Sequence, residues 1–166
     1  RMKENVTRVG GEAVIINDEW GKPVDSQKVE QALIDNPDAK IVAFVHAETS
    51  TGAISDAKSI CKLAQQHSCL TIVDAVTSLA GSELRVDDWG IDAIYSGSQK
   101  CLSAMPGLSP VSFSDKAINK FTHRKTPVTS WFLDLNLVMG YWGKGAKRAY
   151  HHTAPVNTLY GLHESL

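Results

Sequence analysis

The chain has 166 residues, of which 43% are hydrophobic and 21% charged, a composition that suits a soluble globular domain with a substantial core. Its 17 Lys and Arg residues nearly balance its 18 Asp and Glu residues, which gives no support to nucleic acid or an anionic membrane as the main partner. No apolar run approaches the roughly 18–20 residues that a membrane helix needs. Because Cys61, Cys69 and Cys101 show no CxxC spacing, we expect reduced thiols in an intracellular enzyme and no disulfide framework.

Segments with strand patterns alternate with segments with helix patterns. Strands are predicted where apolar residues alternate or run continuously, at residues 12–17, 40–48, 69–76, 91–98 and 108–114. Helices are predicted where apolar residues recur at helical spacing, at residues 25–35, 55–67, 115–124 and 130–142, with a helix-like stretch at 159–166. The continuous runs at 40–48 and 69–76 are typical of strands buried on both faces. Asp25 is a predicted N-cap, and Pro110 favours an edge position for the last strand.

This alternation predicts βαβ units, and therefore an α/β fold with a mainly parallel sheet. In open sheets of this kind, ligands bind beyond the carboxyl ends of the strands. The polar residues that close the apolar runs are then the candidates for a site. They are His46 to Thr49, Asp74, and Ser96 to Lys100.

Asp74 and Lys100 are the charged groups that this edge would bring together. Burying the Asp74 carboxylate is costly unless a cation compensates it, although a strand-end Asp also often caps the next turn. Lys100 ends the neighbouring run in a tight Ser/Gly-rich turn, where partial desolvation would favour the neutral amine that Schiff-base chemistry needs. Taken alone, such a lysine is more often a solvated surface residue. Together, the two residues suit a pyridoxal phosphate site in which the carboxylate holds the pyridine nitrogen protonated.

Other kinds of site find little support in the sequence. Gly10, Gly11 and the scattered glycines fit neither the P-loop pattern GxxxxGK[ST] nor the dinucleotide pattern GxGxxG. The adjacent His151 and His152 would point to opposite faces of a strand, and there is no HExxH or Cys/His cluster. We therefore expect no metal.

Five segments of the chain resemble class V aminotransferases, which are fold-type I pyridoxal phosphate enzymes. They are HAETSTG (46–52), IVDAVTSLAG (72–81), DWGIDAIYSGSQKCL (88–102), PGLSPVSFSDKA (106–117) and YHHTAPVNTLYGL (150–162). They follow one another in family order over nearly the whole chain, and the similarity is greatest to the alanine–glyoxylate and serine–pyruvate aminotransferases. The resemblance implies the central part of the family's large domain, a mainly parallel sheet with helices on both faces.

The resemblance also implies a role for individual residues. Lys100 matches the Schiff-base lysine, and Gln99 matches the residue before it, which contacts the cofactor. Asp74 matches the partner of the pyridine nitrogen, and Val76 matches an apolar residue that packs on one face of the ring. Thr49 occupies a position where the family usually has Ser or Thr, reaching the cofactor ring hydroxyl or phosphate.

Two further positions concern a second subunit. Tyr150 and Thr153 match residues that reach across a dimer interface to the cofactor phosphate of the other subunit, so the resemblance implies a homodimer. His46 and Glu48 are expected to be architectural, buried and hydrogen-bonded, and to take no part in catalysis.

Gln99 and Tyr150 bear on the subfamily. Class V cysteine desulfurases typically place His before the lysine and use a mobile catalytic cysteine, whereas Cys101 here is expected to be a small buried filler. Ureidoglycine–glyoxylate aminotransferases commonly have Asn where Tyr150 stands. We therefore expect transfer of an amino group from alanine or serine to a 2-oxo acid such as glyoxylate or pyruvate. A 3-hydroxykynurenine or ureidoglycine transaminase, and a class V C–S lyase or cysteine desulfurase, stay open.

The resemblance implies that parts of the family's site lie outside this chain. The second ring-stacking aromatic and a Ser-Gly-His phosphate loop would precede Arg1, and the arginine that binds the substrate carboxylate would follow Leu166 in a small C-terminal domain. We therefore expect residues 1–166 to be a portion of the pyridoxal phosphate-binding large domain, and to be inactive in isolation. The expected compartment is the cytoplasm, with peroxisome or mitochondrion left open for a eukaryotic source.

Overall fold

The computed structural model describes residues 1–142 and 149–166, which contain four strands and six helices. The strands are β1 (Ile41–Val45), β2 (Leu70–Asp74), β3 (Ala93–Tyr95) and β4 (Val111–Phe113). The helices are α1 (Met2–Arg8), α2 (Ser26–Asp35), α3 (Ala57–Gln66), α4 (Asp115–Thr122), α5 (Leu135–Trp142) and α6 (Val156–Ser165). None of these helices, taken over the described residues, is both long and apolar enough to cross a membrane.

The strands form one sheet in the order β1-β2-β3-β4. β1 pairs with β2 and β2 with β3 in parallel, and β4 runs antiparallel beside β3. In this register Val45 lies beside Asp74, and Asp74 lies beside Tyr95, so the carboxyl ends of the three parallel strands share one edge. The predicted mainly parallel sheet is confirmed, and the strand after Pro110 is at the end of the strand order in the described chain.

One face of the sheet carries the main hydrophobic core. Phe44, Val73 and Ile94 lie side by side across β1, β2 and β3, and all three are buried. They pack with buried apolar residues of α2 and α3: Val29, Leu33, Ala57, Ile60, Cys61 and Ala64. Both helices begin at an aspartate N-cap, since Asp25 accepts a hydrogen bond from the Gln27 N–H and Asp56 accepts one from the Ser59 N–H.

The opposite face is covered more thinly. The Phe113 ring of β4 meets the Phe121 ring of α4 edge-on, with 5.6 Å between ring centroids. Ile41 of β1 and Val111 of β4 are nevertheless 51% and 46% exposed. Burial of β1 on both faces, which its continuous apolar run predicted, is therefore found on one face only.

Two other predicted elements differ from the structure. Residues 12–17 form no strand, and Val14 and Ile15 are 57% and 47% exposed, because no strand of the described chain lies beside them to accept their backbone hydrogen bonds. The helix predicted at 130–142 begins only at Leu135, because the side chain of Asp134 accepts a hydrogen bond from the Asn136 N–H and caps the helix there. Helix α1 was outside the predicted elements.

Candidate active site

Hydrogen bonds connect the loops that follow the three parallel strands. The Thr77 hydroxyl, in the loop after β2, donates a hydrogen bond to the Ala47 carbonyl in the loop after β1. The Cys101 thiol, in the turn after β3, lies 3.4 Å from the Thr77 carbonyl. These contacts join three polypeptide segments at the carboxyl edge of the sheet, where the sequence predicted a site.

Asp74 is the last residue of β2 and is half-buried at this edge. Its Oδ1 accepts a hydrogen bond from the Val76 N–H at 2.9 Å, and its Oδ2 accepts one from the Tyr95 hydroxyl at 2.7 Å. Burial raises the pKa of the Tyr95 phenol, and its hydrogen bond to Asp74 and the carboxylate's negative charge raise it further. Tyr95 therefore remains a hydrogen-bond donor throughout the neutral range.

The turn after β3 explains why Lys100 lies in a run of Ser and Gly. Ser96 and Ser98 are buried, and the Ser96 hydroxyl donates a 3.0 Å hydrogen bond to the Ala75 carbonyl. Gln99 and Lys100 follow at the exposed tip of the turn. The serine hydroxyls thus form hydrogen bonds with buried backbone carbonyls and fix the turn to the neighbouring loop. Lys100 lies at the exposed end of this fixed turn.

Two expectations about this turn are corrected by the structure. Lys100 was expected to be partly desolvated, but its residue is exposed, because no described element covers the tip of the turn. Cys101 was expected to be a buried filler, but it is also exposed. Its Sγ lies over Gly81, where an added Cβ would approach Sγ to 2.5 Å, so the thiol packs on the loop surface and not in the core.

Thr49 and Val76 lie in the loops that flank Asp74. Thr49 is exposed at the start of a turn after β1, which closes with a hydrogen bond from the Gly52 N–H to the Glu48 carbonyl at 2.9 Å. Gly52 has a φ of +73°, a left-handed conformation that favours glycine. Val76 is half-buried directly after the backbone turn that Asp74 caps.

His46 and Glu48 meet the expectation of an architectural role only in part. Glu48 is half-buried, and hydrogen bonds from the Ser50 N–H and hydroxyl lower the pKa of its carboxyl. His46 is 3% exposed, but its Nδ1 has no hydrogen-bond partner among the described residues. Its ring instead packs edge-on against Trp89 at 5.9 Å, and burial lowers the pKa of the imidazole, which favours the neutral ring.

Tyr150 and Thr153 contact each other. The Tyr150 hydroxyl lies 2.9 Å from the Thr153 Oγ1, and both residues are exposed. Across the described residues, no hydrogen bond joins this pair to Asp74 or Lys100. The structure therefore connects the residues predicted after β1, β2 and β3, and leaves Tyr150 and Thr153 as a separate exposed pair.

The two histidines between them do not follow the expected strand geometry. Residues 150–153 are not a strand, and the Nδ1 atoms of His151 and His152 lie 2.7 Å apart. His151 is buried and stacks on Trp131, with 4.3 Å between ring centroids. Within residues 1–142 and 149–166, no group of three or more His, Cys, Asp or Glu side chains could hold a metal ion.

Sequence reasoning missed Tyr95 and Thr77, which organise the edge. Tyr95 ends β3 directly beside Asp74, but only the strand register reveals that neighbourhood. A usable signal was present, because Thr77 directly follows the strand predicted at 69–76 and Tyr95 directly precedes Ser96, the first of the polar residues that close the strand predicted at 91–98.

The residues at this edge fit pyridoxal phosphate. Asp74 takes its hydrogen bonds from neutral donors, and it forms none of the ion pairs found among the described residues. A half-buried carboxylate with no cationic partner suits a protonated pyridine nitrogen. Lys100, exposed in the adjoining turn, suits covalent attachment of the cofactor.

A mainly parallel sheet with such an aspartate at the end of one strand and such a lysine in the turn after the next strand is an arrangement that suits a pyridoxal phosphate site. The chain belongs to the class-V aminotransferase family, whose family model matches residues 4–166. The predicted family and α/β fold are thereby confirmed.

Individual relatives extend this similarity. The alanine–glyoxylate aminotransferase of Oryctolagus cuniculus is 39% identical over 100% of this chain and 42% of its own length. The crystal structure of the alanine–glyoxylate aminotransferase from Nostoc sp. is 42% identical with a TM-score of 0.90, over 96% of this chain and 41% of that one. The ureidoglycine–glyoxylate aminotransferase from Bacillus subtilis is 36% identical with a TM-score of 0.93, over 99% of this chain and 42% of that one. The chain thus spans about two-fifths of the length of these proteins.

Proposed function

We propose that the protein containing this chain is a pyridoxal phosphate-dependent aminotransferase that moves an amino group from alanine or serine to a 2-oxo acid such as glyoxylate or pyruvate. The observation that carries the proposal is that Asp74 ends β2 and Lys100 lies in the turn after β3, at the same edge of the sheet, in a chain of the class-V aminotransferase family. The names of the rabbit and Nostoc relatives support alanine and glyoxylate as substrates.

When bound, the cofactor supplies an electron sink that stabilises negative charge at the substrate α-carbon. Lys100 would hold it covalently through Nζ, and once displaced by the amino substrate, that amine would take the α-proton and return it. Asp74 would hold the proton on the pyridine nitrogen. Its two hydrogen bonds from neutral groups orient the carboxylate without neutralising its charge.

Further residues of the chain would hold the cofactor in place. The apolar Val76 would pack on one face of the ring, and Thr49 and Gln99 would contact its polar groups from the flanking loops. Tyr150 and Thr153, exposed and hydrogen-bonded to each other, would reach the cofactor phosphate of a second subunit in a homodimer. We assign residues 1–166 to a portion of the large cofactor-binding domain. The free thiols of its cysteines fit a reducing compartment, for which we propose the cytoplasm, with peroxisome or mitochondrion open for a eukaryotic source.

The test is reduction of the purified whole protein with borohydride after addition of pyridoxal phosphate, followed by mass spectrometry of the peptide that contains Lys100. A phosphopyridoxyl group on Lys100 and a band at roughly 330–430 nm are expected. Lys100→Ala should lose both the adduct and turnover while keeping the fold. Lys62→Ala, which removes an exposed lysine from α3, is the matched control and should keep both. Near-normal turnover in Lys100→Ala would overturn the assignment.

The amino donor is tested by single turnover with each candidate substrate. Alanine and serine, with glyoxylate and pyruvate as acceptors, should convert the cofactor fastest. A preference for ureidoglycine is the second candidate, which the name of the Bacillus subtilis relative, 36% identical to this chain, supports. Transfer from 3-hydroxykynurenine, or release of sulfide from cysteine, would replace the alanine or serine proposal.

A further inference from the structure

Tyr95 and Asp74 form a pair that the geometry of the sheet builds directly. Each is the last residue of its strand, and the parallel register of β2 and β3 sets them side by side. Residues that are lateral neighbours in a parallel pair point their side chains to the same face of the sheet. The Tyr95 hydroxyl closes the pair with a 2.7 Å hydrogen bond to the Asp74 Oδ2.

The carboxylate is thereby fixed at both oxygens. Oδ1 accepts from the Val76 N–H at 2.9 Å while Oδ2 accepts from Tyr95, so rotation of the Asp74 side chain would break both hydrogen bonds. A carboxylate has about four acceptor sites, so two remain for a ligand. Because both donors are neutral, they orient the Asp74 carboxylate without compensating its negative charge.

We propose that Tyr95 is a positioning residue, whose hydroxyl holds the Asp74 carboxylate in the orientation that binds the protonated ring nitrogen of pyridoxal phosphate. The inference rests on the proposed function and adds to it a residue that acts through Asp74. At metal sites, removing a partner that orients a ligand side chain typically lowers affinity or activity by about 10–100-fold, and we expect an effect of similar size here. Tyr95 stays a donor at neutral pH, since burial and the neighbouring carboxylate raise the pKa of its phenol.

The test compares Tyr95→Phe with wild-type in the whole protein, using pyridoxal phosphate labelled with ¹⁵N in the ring. The substitution removes only the hydroxyl and keeps the ring that packs beside Asp74. We expect the dissociation constant of the cofactor to rise about tenfold. The ¹⁵N signal should move toward that of a neutral pyridine, because a carboxylate held only by the Val76 N–H is less well oriented toward the ring nitrogen and holds its proton less tightly. Tyr160→Phe, which alters a tyrosine of α6 that is 69% exposed, is the matched control and should change neither quantity.

A double-mutant cycle separates positioning from packing. In the Asp74→Asn background, the additional Tyr95→Phe substitution should leave affinity and ¹⁵N shift unchanged, because the carboxylate that Tyr95 orients is gone. If Tyr95→Phe instead weakens cofactor affinity equally in the wild-type and Asp74→Asn backgrounds, Tyr95 has a packing role, and the proposal is overturned. So would a Tyr95→Phe protein with wild-type affinity and ¹⁵N shift, provided that wild-type binds the cofactor with a protonated ring nitrogen. A wild-type protein that binds no cofactor would overturn the proposed function itself.

Discussion

The Cys101 thiol lies 3.4 Å from the carbonyl oxygen of Thr77, which ties the turn carrying Lys100 to the loop that follows Asp74. The contact is possible because residue 81 has no side chain. A Cβ at Gly81 would lie 2.5 Å from the Cys101 Sγ, which would have to move, and 3.1 Å from its Cβ, which would have to shift slightly. The distance between the two loops therefore depends on this glycine.

Gly81→Ala should displace the turn that carries Lys100 and weaken cofactor binding. Overpacking of this kind costs about 1–3 kcal/mol. If cofactor binding has to overcome that whole cost, the dissociation constant of pyridoxal phosphate rises about 5- to 150-fold. Fluorescence titration of the whole apoprotein measures the change. Adding Cys101→Ala removes the Sγ and should restore most of the affinity.

Gly140→Ala is the matched control for that experiment. Gly140 lies in α5, and a Cβ there would meet nothing within 4 Å, so the substitution should leave cofactor affinity unchanged and favour the helix slightly. Wild-type affinity in Gly81→Ala would show that the two loops adjust without moving the lysine.

The buried Asp92 should be a stability residue and not a catalytic one. Its Oδ2 accepts from the Thr71 N–H at 3.1 Å, and its Oδ1 accepts from the Ser114 hydroxyl at 2.7 Å, the same group that caps α4. Asp92→Ala leaves a buried N–H without a partner, so the free energy of unfolding should fall by about 2–3 kcal/mol. Denaturant unfolding followed by circular dichroism checks this. Asp88→Ala, which breaks an exposed ion pair with Arg85, should change it by about 0.5 kcal/mol or less.

The three cysteines should differ in their rate of alkylation. Cys101 is exposed, whereas Cys61 is fully buried, and burial raises the pKa of the Cys61 thiol to about 11. Cys69 is also buried, which raises the pKa of its thiol. Iodoacetamide at pH 7.5 should therefore modify Cys101 at least about tenfold faster than the other two, as read by peptide mass spectrometry of the native apoprotein. In urea all three rates should converge, and a native Cys61 as reactive as Cys101 would contradict this burial pattern.

The sequence predicted the central strands and their helices because each carries a strong local signal. The apolar runs that became β1 and β2, the N-cap Asp25 of α2 and the apolar stripe of α3 act over a few residues, so they can be identified without tertiary information. The strand predicted at 12–17 failed for the opposite reason, because a strand exists only with a neighbour to receive its hydrogen bonds.

In the candidate site, too, the features with a local sequence signal were predicted, and those that depend on tertiary packing were not. The motif around Lys100 was visible in the sequence, but its exposure and that of Cys101 depend on which elements pack over the turn. The hydrogen bond between Tyr95 and Asp74 joins residues 21 positions apart and depends on strand register, which a single sequence does not specify.

Tyr150 and Thr153 should act on the active site of the partner subunit, which a mixed dimer can test. Tyr150 is 75% exposed, and its hydroxyl is hydrogen-bonded to the Thr153 hydroxyl. The pair is therefore available to contact a neighbouring molecule. One protomer carries Lys100→Ala, and the other carries Tyr150→Phe with Thr153→Ala. Two different affinity tags isolate the mixed dimer from the two parental dimers.

The mixed dimer distinguishes the two arrangements by its turnover. If the pair serves the partner's site, one site of the dimer receives Lys100 from one protomer and an intact Tyr150 and Thr153 from the other. That dimer should then recover about half of the wild-type rate, the same as a dimer of Lys100→Ala with wild-type. If the pair serves its own protomer, every site carries a defect, and the mixed dimer should be no faster than the Tyr150→Phe/Thr153→Ala parent.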